Sequence, residues 1–221
     1  MSQFDDQMDR LPRGRHGLSP EFVARNQRDR LIAALIITLA EVGYQKTTVS
    51  MIGRRAAVSK SDFYKHFDSK DECFLAAYDF AVEQIRTAVV DACAAAGSTE
   101  WAVRIRTGVV ALLSLLADEP ALAAIVLAEG LRAGRGIYDR YQGAVESFVP
   151  LLREGAPDGP GGQPVPAATD EAVVGGIASL LSRRVIADEA PNLVALVPDV
   201  LEFALTPHLG TEAARRIISA G

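Results

Sequence analysis

Hydrogen-bond donors and cations are concentrated in one short stretch of the sequence, KSDFYKHF, which begins at Lys60. Phe63 and Phe67 are four residues apart, so in a helix both would face the core. Lys60, Ser61 and Tyr64 would then point away from it. Ammonium and hydroxyl groups on one side of a short helix can donate to phosphates and to base edges in the major groove of DNA.

The charge of the chain is divided between a basic N-terminal part and an acidic remainder. Residues 10–70 contain 12 lysine or arginine residues and 5 acidic ones, whereas residues 71–221 contain 11 basic and 20 acidic residues. The formal net charge is −5. Residues 1–17 have no hydrophobic periodicity and are predicted to be a flexible basic arm. This asymmetry is typical of proteins that bind a polyanion, although charges clustered on a solvated face would give the same count.

The composition indicates a folded protein. The chain has 221 residues and is 49% hydrophobic, which permits one large domain or two small ones. Two cysteines, Cys73 and Cys93, cannot form a disulfide framework. The polar N-terminus lacks the apolar stretch of a signal peptide. The longest apolar run near the start, 31–40, is broken only by Thr38 and is shorter than the ~20 residues of a membrane-spanning helix. We therefore expect a cytoplasmic protein.

Start and stop signals divide residues 18–68 into three helices. A Ser-Pro-Glu sequence begins the first helix, which ends at Gly43. Thr48 can cap the second helix, and Ser59 with Asp62 forms a capping box for the third. Two short helices joined by a tight turn are predicted to follow one long helix.

Residues 69–221 are predicted to be helical apart from one loop. A capping box from Ser69 to Glu72 opens a long helix that ends at Gly97, and residues 154–168 are dense in proline and glycine. No run of useful length has the period of a β-strand. We predict an all-α protein, with an N-terminal three-helix head and a C-terminal helical bundle. Further helices are predicted over 99–117, 120–131 and 136–153, from a cap at Thr169 to 187, and around 198–205 and 211–219.

Several groups of residues in the head carry a resemblance to a known family. They are Gly43-Tyr44, Thr47-Thr48-Val49, Ala57-Val58-Ser59, and the run from Phe63 to Phe67 followed by Ser69-Lys70. Between Arg30 and about Ala77 the chain closely resembles the helix-turn-helix DNA-binding domain of TetR-family (TetR/AcrR-type) transcriptional regulators. The sequence around 201–209 is also similar to the end of actinobacterial members.

One residue departs from the family pattern. Ala57 occupies a position at which many relatives have glycine. A left-handed backbone at this alanine would cost about 1–2 kcal/mol. Because the flanking pattern is intact, we expect a milder conformation here.

The resemblance implies a homodimer of all-helical subunits. Residues 18–68 would form the helix-turn-helix domain, and residues 69–221 would supply the dimer interface and a cavity for a small-molecule effector. Effector binding would separate the two DNA-binding heads and release the operator, and most members of the family are repressors. No cofactor or metal is expected.

The residues predicted to contact DNA lie on the head and the arm. Lys60 and Ser61, at the start of the recognition helix, would contact base edges. Thr47 and Thr48 would hold a phosphate at a helix N-terminus or would only cap it. By resemblance, a further set would contact phosphates, and the arm would enter the minor groove unless it is only a solvated tail. The phosphate contacts are Tyr64, Lys65, His66 and Lys70 on the head, and the arm residues are Arg13 and Arg15. Ser59, which can cap the recognition helix, is also predicted to contact DNA.

Polar and aromatic residues on the central helices are candidates for the effector cavity. Such cavities are mostly apolar with a few placed polar groups. The candidates are Trp101, Arg104, Tyr138, Tyr141 and Phe148. Aromatic residues at helical spacing are more often part of a core, so each aromatic candidate has this alternative, and Arg104 could instead be a surface residue.

The dimer interface is predicted from two glycines inside a helical pattern. Gly175 and Gly176 would each cost about 1 kcal/mol relative to alanine, which the close approach of another helix would justify. That helix could belong to a second subunit or to the same one. Leu180, Val200 and Phe203 would complete a two-fold interface.

Two rival functions are weaker. For an enzyme, the histidines are scattered, no pair has metal-ligand spacing, and no P-loop or GxSxG motif is present. A helical protein-interaction module without DNA binding would explain the apolar helices. It would not explain the positive charge concentrated around the third helix.

Overall fold

The computed structural model describes residues 20–129 and 135–219, so the predicted arm with Arg13 and Arg15 lies outside the described residues. Within them the backbone forms helices and turns, and the one β-type contact is an isolated bridge between Gly159 and Gln163. The prediction of an all-α fold is confirmed. The helices are α1 (Pro20–Lys46), α2 (Val49–Ala56), α3 (Lys60–His66), α4 (Lys70–Ala96), α5 (Trp101–Asp118), α6 (Pro120–Ala123, continued by a π-helix over Ala124–Glu129), α7 (Arg135–Glu146), α8 (Val149–Arg153), α9 (Ala167–Ile186), α10 (Val197–Leu209) and α11 (Thr211–Ser219), with 3₁₀ helices at Pro160–Gly162 and Ala190–Leu196.

Side-chain caps begin the helices of the head where the sequence predicted them. Thr48 Oγ1 accepts a hydrogen bond from the Met51 amide at 3.3 Å, and Ser59 Oγ accepts one from the Asp62 amide at 3.0 Å. Ser69 Oγ does the same for the amide three residues later, at 3.1 Å. Each bond satisfies an N–H group that the first turn of a helix leaves unpaired. The three caps fix the start of α2, α3 and α4.

The turn between α2 and α3 contains a left-handed residue, Ala57, with φ 51° and ψ 43°. The Val58 amide closes the turn by donating to the Gly53 carbonyl oxygen at 2.9 Å. A Cβ atom on Gly53 would lie 2.8 Å from the Val58 carbonyl oxygen, so only glycine fits there. The expectation of a milder conformation at Ala57 is therefore wrong, because this turn holds the alanine in a region that costs about 1–2 kcal/mol.

The buried side of α3 is anchored to α1. Phe63 and Phe67 are 0% and 2% exposed, which confirms that they belong to the core. The Arg28 guanidinium lies 5.1 Å from the centre of the Phe67 ring, and the buried Arg30 donates from Nη2 to the Ala56 carbonyl oxygen. These contacts set the orientation of α3 and hence the direction of its polar side.

The body is built around two long antiparallel helices, α4 and α5. Their close packing is visible at Gly108, where an added Cβ would lie 3.3 Å from the Val89 side chain and 3.4 Å from Cys93 Sγ. The π-helix, α9 and α10 also pack against this pair or against each other, and the shared core continues into the head. A second apolar cluster, which includes Trp101, Leu201 and Leu205, lies beneath α11.

Three predicted boundaries in the body are wrong. The predicted helix over 136–153 is broken at Ser147 and Phe148, so that α7 and α8 are separate helices. The helix that Pro120 begins changes to a π-helix after four residues. Thr169 does not cap α9, which begins at Ala167; its amide instead donates to the Pro166 carbonyl oxygen at 2.9 Å.

A buried polar cluster fastens the proline- and glycine-rich loop to the body. Asp170 Oδ1 lies 2.9 Å from His208 Nε2, and Asp170 Oδ2 lies 3.2 Å from Arg153 Nε. His208 Nδ1 lies 3.0 Å from the Pro157 carbonyl oxygen, which can only accept, so this nitrogen donates. The cluster thereby connects α8, α9 and α10 with the loop.

None of the helices in the described ranges is by itself long and apolar enough to cross a membrane. One bent pair, Trp101–Asp118 with Pro120–Glu129, meets the length and composition criteria together, at 103° to each other.

Candidate DNA-binding surface and ligand cavity

The polar residues of α3 form one exposed surface, together with its cap. Tyr64 is 48% exposed, and the Lys65 side chain is 73% exposed. Ser59, Lys60 and Ser61 are exposed at the N-terminal end of the helix. The predicted division of α3 into a buried phenylalanine side and an outward polar side is therefore correct. We call these five residues the α3 surface.

Asp62 organises the α3 surface without adding a free carboxylate to it. Its Oδ2 accepts a hydrogen bond from Ser59 Oγ at 2.7 Å, and its Oδ1 pairs with Lys65 Nζ at 2.7 Å. The hydrogen bond from Lys65, and to a smaller extent the one from Ser59, holds the pKa of Asp62 below its usual range. Exposed pairs of this kind are weak, so Lys65 can leave Asp62 for a phosphate at little cost.

Two predicted DNA contacts are directed into the protein. Thr47 is 2% exposed and its Oγ1 donates to the Gly43 carbonyl oxygen at 2.9 Å, so its side chain belongs to the core and is no phosphate contact. Lys70 Nζ donates to the Tyr44 carbonyl oxygen at 2.9 Å and lies 3.9 Å from the centre of the Tyr44 ring. Lys70 thus connects α4 to the end of α1. Thr48, in contrast, is exposed.

His66 lies at the edge of the α3 surface. It is partly buried, and its Nε2 lies 3.2 Å from Gln27 Oε1. Burial lowers the pKa of His66 below its ordinary value, although the Asp62 carboxylate opposes the shift. At neutral pH His66 is therefore uncharged and adds no third cation to Lys60 and Lys65.

Sequence reasoning did not single out two further exposed cations of the head, Lys46 and Arg54. Lys46 precedes the Thr48 cap, and Arg54 lies on α2. All four lysines of the chain fall between residues 46 and 70. This clustering is a sequence signal that could have identified Lys46. Arg55, which pairs with Glu41 at 2.6 Å, is less available.

The body encloses an apolar cavity of about 260 Å³ between α4, α5, α7 and α9. Arg104, Tyr141 and Phe148 line it, as the sequence suggested. Trp101 does not line it, because it is buried in the second apolar cluster and its Nε1 donates to the Leu152 carbonyl oxygen at 2.7 Å. Tyr138 is 55% exposed and lies outside the lining. The sequence missed Tyr78, which lines the cavity and is 1% exposed.

The residues predicted to form a dimer interface have different environments. A Cβ added to Gly176 would lie 2.8 Å from the Phe203 ring of the same chain, so this glycine is explained by packing within the subunit. A Cβ on Gly175 would meet no atom within 4 Å. Val200 is 1% exposed and belongs to the core, so it is no interface residue. Leu180 is half-buried and Phe203 is 48% exposed.

The fold and the α3 surface define a helix-turn-helix protein with an all-helical body. A sequence profile described as "Bacterial regulatory proteins, tetR family" matches residues 31–77, which include α2, α3 and the turn at Ala57. The match covers most of the head, so this part of the chain is similar to the DNA-binding domain of that family.

The chain is also similar to uncharacterized HTH-type transcriptional regulators of Mycobacterium tuberculosis and Mycobacterium bovis. It is 28% identical to them over 130 residues, which cover 54% of this chain and 58% of each relative. The similarity thus spans little more than half of their length.

Solved structures with the same fold cover most of the chain. The fatty acid degradation regulator FadR from Bacillus halodurans aligns with a TM-score of 0.68 and 20% identity, over 87% of this chain and 97% of its own. The transcriptional regulator FadR from Bacillus subtilis, solved in complex with stearoyl-CoA, has a TM-score of 0.67 and 19% identity over 80% and 97%. At these identities the likeness shows the fold.

Proposed function

We propose that this protein is a DNA-binding transcriptional regulator that binds a palindromic operator as a homodimer and leaves it when a small molecule occupies the cavity. Most members of the family are repressors, and we propose repression here. The observation that carries the proposal is the α3 surface, which presents ammonium and hydroxyl donors on a helix fixed by its caps. Catalysis has no part in this proposal, and a cytoplasmic location remains a prediction.

The chemistry of the α3 surface supports DNA binding. Lys60 and Ser61 lie at the N-terminal end of α3, the end that approaches base edges in helix-turn-helix docking. Lys60 would donate to guanine O6 or N7, and Ser61 to several bases. Tyr64, Lys65 and the exposed Arg54 of α2 would contact phosphates and fix the register.

The cavity supports control by a largely apolar effector. Its lining residues are almost all aliphatic or aromatic, which is the usual composition of a pocket for an apolar molecule. The FadR of Bacillus subtilis has the same fold and was solved with stearoyl-CoA. We therefore propose that the effector of this protein is a long, largely apolar molecule of comparable shape.

Exposed apolar residues on the late helices support a homodimer. Ile186 at the end of α9, Val194 in the 3₁₀ helix Ala190–Leu196, and Phe203 on α10 are 45%, 46% and 48% exposed, respectively. Residues of this size on neighbouring elements are typical of a subunit interface. An isologous two-fold contact would place two α3 surfaces on successive major grooves, about one helical turn of DNA apart or a multiple of it.

The proposal is tested by footprinting the protein on the DNA that flanks its own gene, and by measuring affinity at two salt concentrations. We expect affinity to fall steeply with salt, and Lys60→Ala to weaken operator binding by about 1–3 kcal/mol. Arg216→Ala removes an exposed cation from α11 and serves as the control, with no expected effect. If the protein bound no DNA duplex even at low salt, it would instead be a helical protein-interaction module.

A further inference from the structure

The cavity is long and follows one side of α4. Its lining residues on that helix include Tyr78, Val82, Ile85, Val89 and Cys93, spaced three or four residues apart. From the first to the last the helix rises about 22 Å, at 1.5 Å per residue. A cavity of this length and modest volume accommodates a chain-like molecule better than a compact one.

The two ends of the cavity differ in exposure. At the Cys93 end, Val90 is 36% exposed, Glu154 is exposed, and the Arg104 guanidinium donates to the Glu154 carbonyl oxygen. At the other end Tyr78 is 1% exposed. The Cys93 end is therefore the open end, with a cation beside it, and the Tyr78 end is the closed one.

The closed end contains a polar atom without a partner. Within residues 20–129 and 135–219, the Tyr78 hydroxyl is buried and makes no hydrogen bond. Burial is the main reason that the pKa of Tyr78 lies above its ordinary value, and the nearby Tyr141 and Asp79 raise it further. The phenol therefore stays protonated. It is a donor that lacks an acceptor, and a buried donor in this state destabilises the empty protein.

We propose that the Tyr78 hydroxyl is a binding residue for the effector, and that the effector is a long apolar molecule carrying a hydrogen-bond acceptor at the end that reaches Tyr78. The acceptor is an uncharged oxygen, such as a hydroxyl, carbonyl or ether, because a charged group would lose its hydration in this apolar enclosure. This inference deepens the proposed function and rests on its effector cavity. It distinguishes the effector from a simple alkyl chain, whose inner end is a methyl group.

The test compares two probes that differ only at the inner end, hexadecanoic acid and 16-hydroxyhexadecanoic acid. The carboxylate of both would stay at the open end near Arg104, and only the second would bring an oxygen to Tyr78. Binding is followed by calorimetry or by the fluorescence of Trp101, the single tryptophan of the chain. Trp101 is coupled to the lining because it donates to Leu152.

Tyr78→Phe removes the donor and keeps the ring. For each protein we take the dissociation constant of hexadecanoic acid divided by that of 16-hydroxyhexadecanoic acid. This ratio should be roughly 3- to 10-fold larger for the wild-type protein than for Tyr78→Phe. Tyr138→Phe makes the same chemical change at an exposed tyrosine outside the lining, and its ratio should equal the wild-type value. Equal ratios for the wild type and Tyr78→Phe would overturn the proposal.

A second measurement separates ligand binding from a structural role. Because the hydroxyl has no partner in the empty protein, Tyr78→Phe should leave the melting temperature unchanged or raise it. A fall of more than about 4 °C would mean that the hydroxyl stabilises the fold, and would overturn the proposal. If neither acid binds any of the proteins, the chain-like effector is wrong and this inference with it. Operator binding, measured without either acid, tests the DNA-binding part of the proposed function separately.

Discussion

At the scale of single residues, the head has helix caps that the sequence could predict and one strained backbone position that it could not. The caps at Thr48, Ser59 and Ser69 could be predicted because a cap depends on residues only three positions apart. The left-handed backbone of Ala57 could not, because it depends on how α2 and α3 meet. The burial of Thr47 was missed for the same reason. A threonine at this position could contact a phosphate or donate a buried hydrogen bond to the Gly43 carbonyl oxygen, and the sequence does not distinguish the two.

Ala57→Gly should stabilise the protein. Glycine adopts φ 51° without the clash that an alanine Cβ makes, and the gain exceeds the added entropy of the unfolded chain. We expect an increase of about 0.5–1 kcal/mol in the free energy of unfolding, measured with urea. Ala172→Gly, at an exposed position within α9, is the matched control and should destabilise by about 1 kcal/mol. A loss of stability at both positions would contradict the assigned strain.

His66 should make the head sensitive to mild acid. Its folded-state pKa lies below its unfolded value near 6.5, so the unfolded chain binds a proton more readily. The contribution of His66 is therefore complete above about pH 6.5 and is lost as pH falls towards the folded-state pKa. The free energy of unfolding, measured with urea at pH 7.5, 6.5 and 5.5, should fall more for the wild type than for His66→Gln as the pH is lowered. A constant difference between the two proteins would contradict this prediction.

At the scale of elements, the π-helix connects the cavity with the head. Val126 and Leu127 line the cavity, and Glu129, at the end of the same π-helix, accepts a hydrogen bond from the Tyr44 amide at 2.9 Å. Tyr44 follows Gly43, whose φ of 73° ends the regular part of α1. Sequence reasoning expected an ordinary helix here, because a change from α to π geometry is set by tertiary packing and leaves no periodic signal. Residues 130–134, which follow it, lie outside the described ranges.

Glu129→Ala should destabilise the protein by about 1–3 kcal/mol, since it leaves the Tyr44 amide without its acceptor in a buried position. Glu129→Gln keeps an oxygen in the same place and should lose distinctly less stability. Urea unfolding of the two variants measures the difference. Equal losses would show that the carboxylate acts by its charge and not as the acceptor for Tyr44.

At the scale of the whole molecule, a short series of aromatic rings links the apolar cavity to the DNA-binding head. Tyr78 stacks on Phe74, with ring centres 6.4 Å apart, and Phe74 meets the Tyr44 ring edge-on at 5.1 Å. Lys70 Nζ lies over the Tyr44 ring, directly after the head. An effector that moves Tyr78 would therefore act on the junction of α1 and α4. The sequence supplied the outline of this arrangement, a basic head on an apolar body, but not the contacts that couple the two.

A dimer binds its operator with both heads at once. A substitution that disrupts the proposed dimer interface, far from DNA, should therefore weaken operator binding. Phe203→Glu would place a charge on the apolar surface of α10, where burial of an unpaired carboxylate opposes association. We expect the dimer to weaken at least ~10-fold in light scattering, with a parallel loss of operator affinity. Val103→Glu, on α5 and 38% exposed, alters a similarly exposed apolar residue and should leave both unchanged. Circular dichroism checks that both variants stay helical. If Phe203→Glu remained dimeric and Val103→Glu did not, the interface would involve α5 instead of α10.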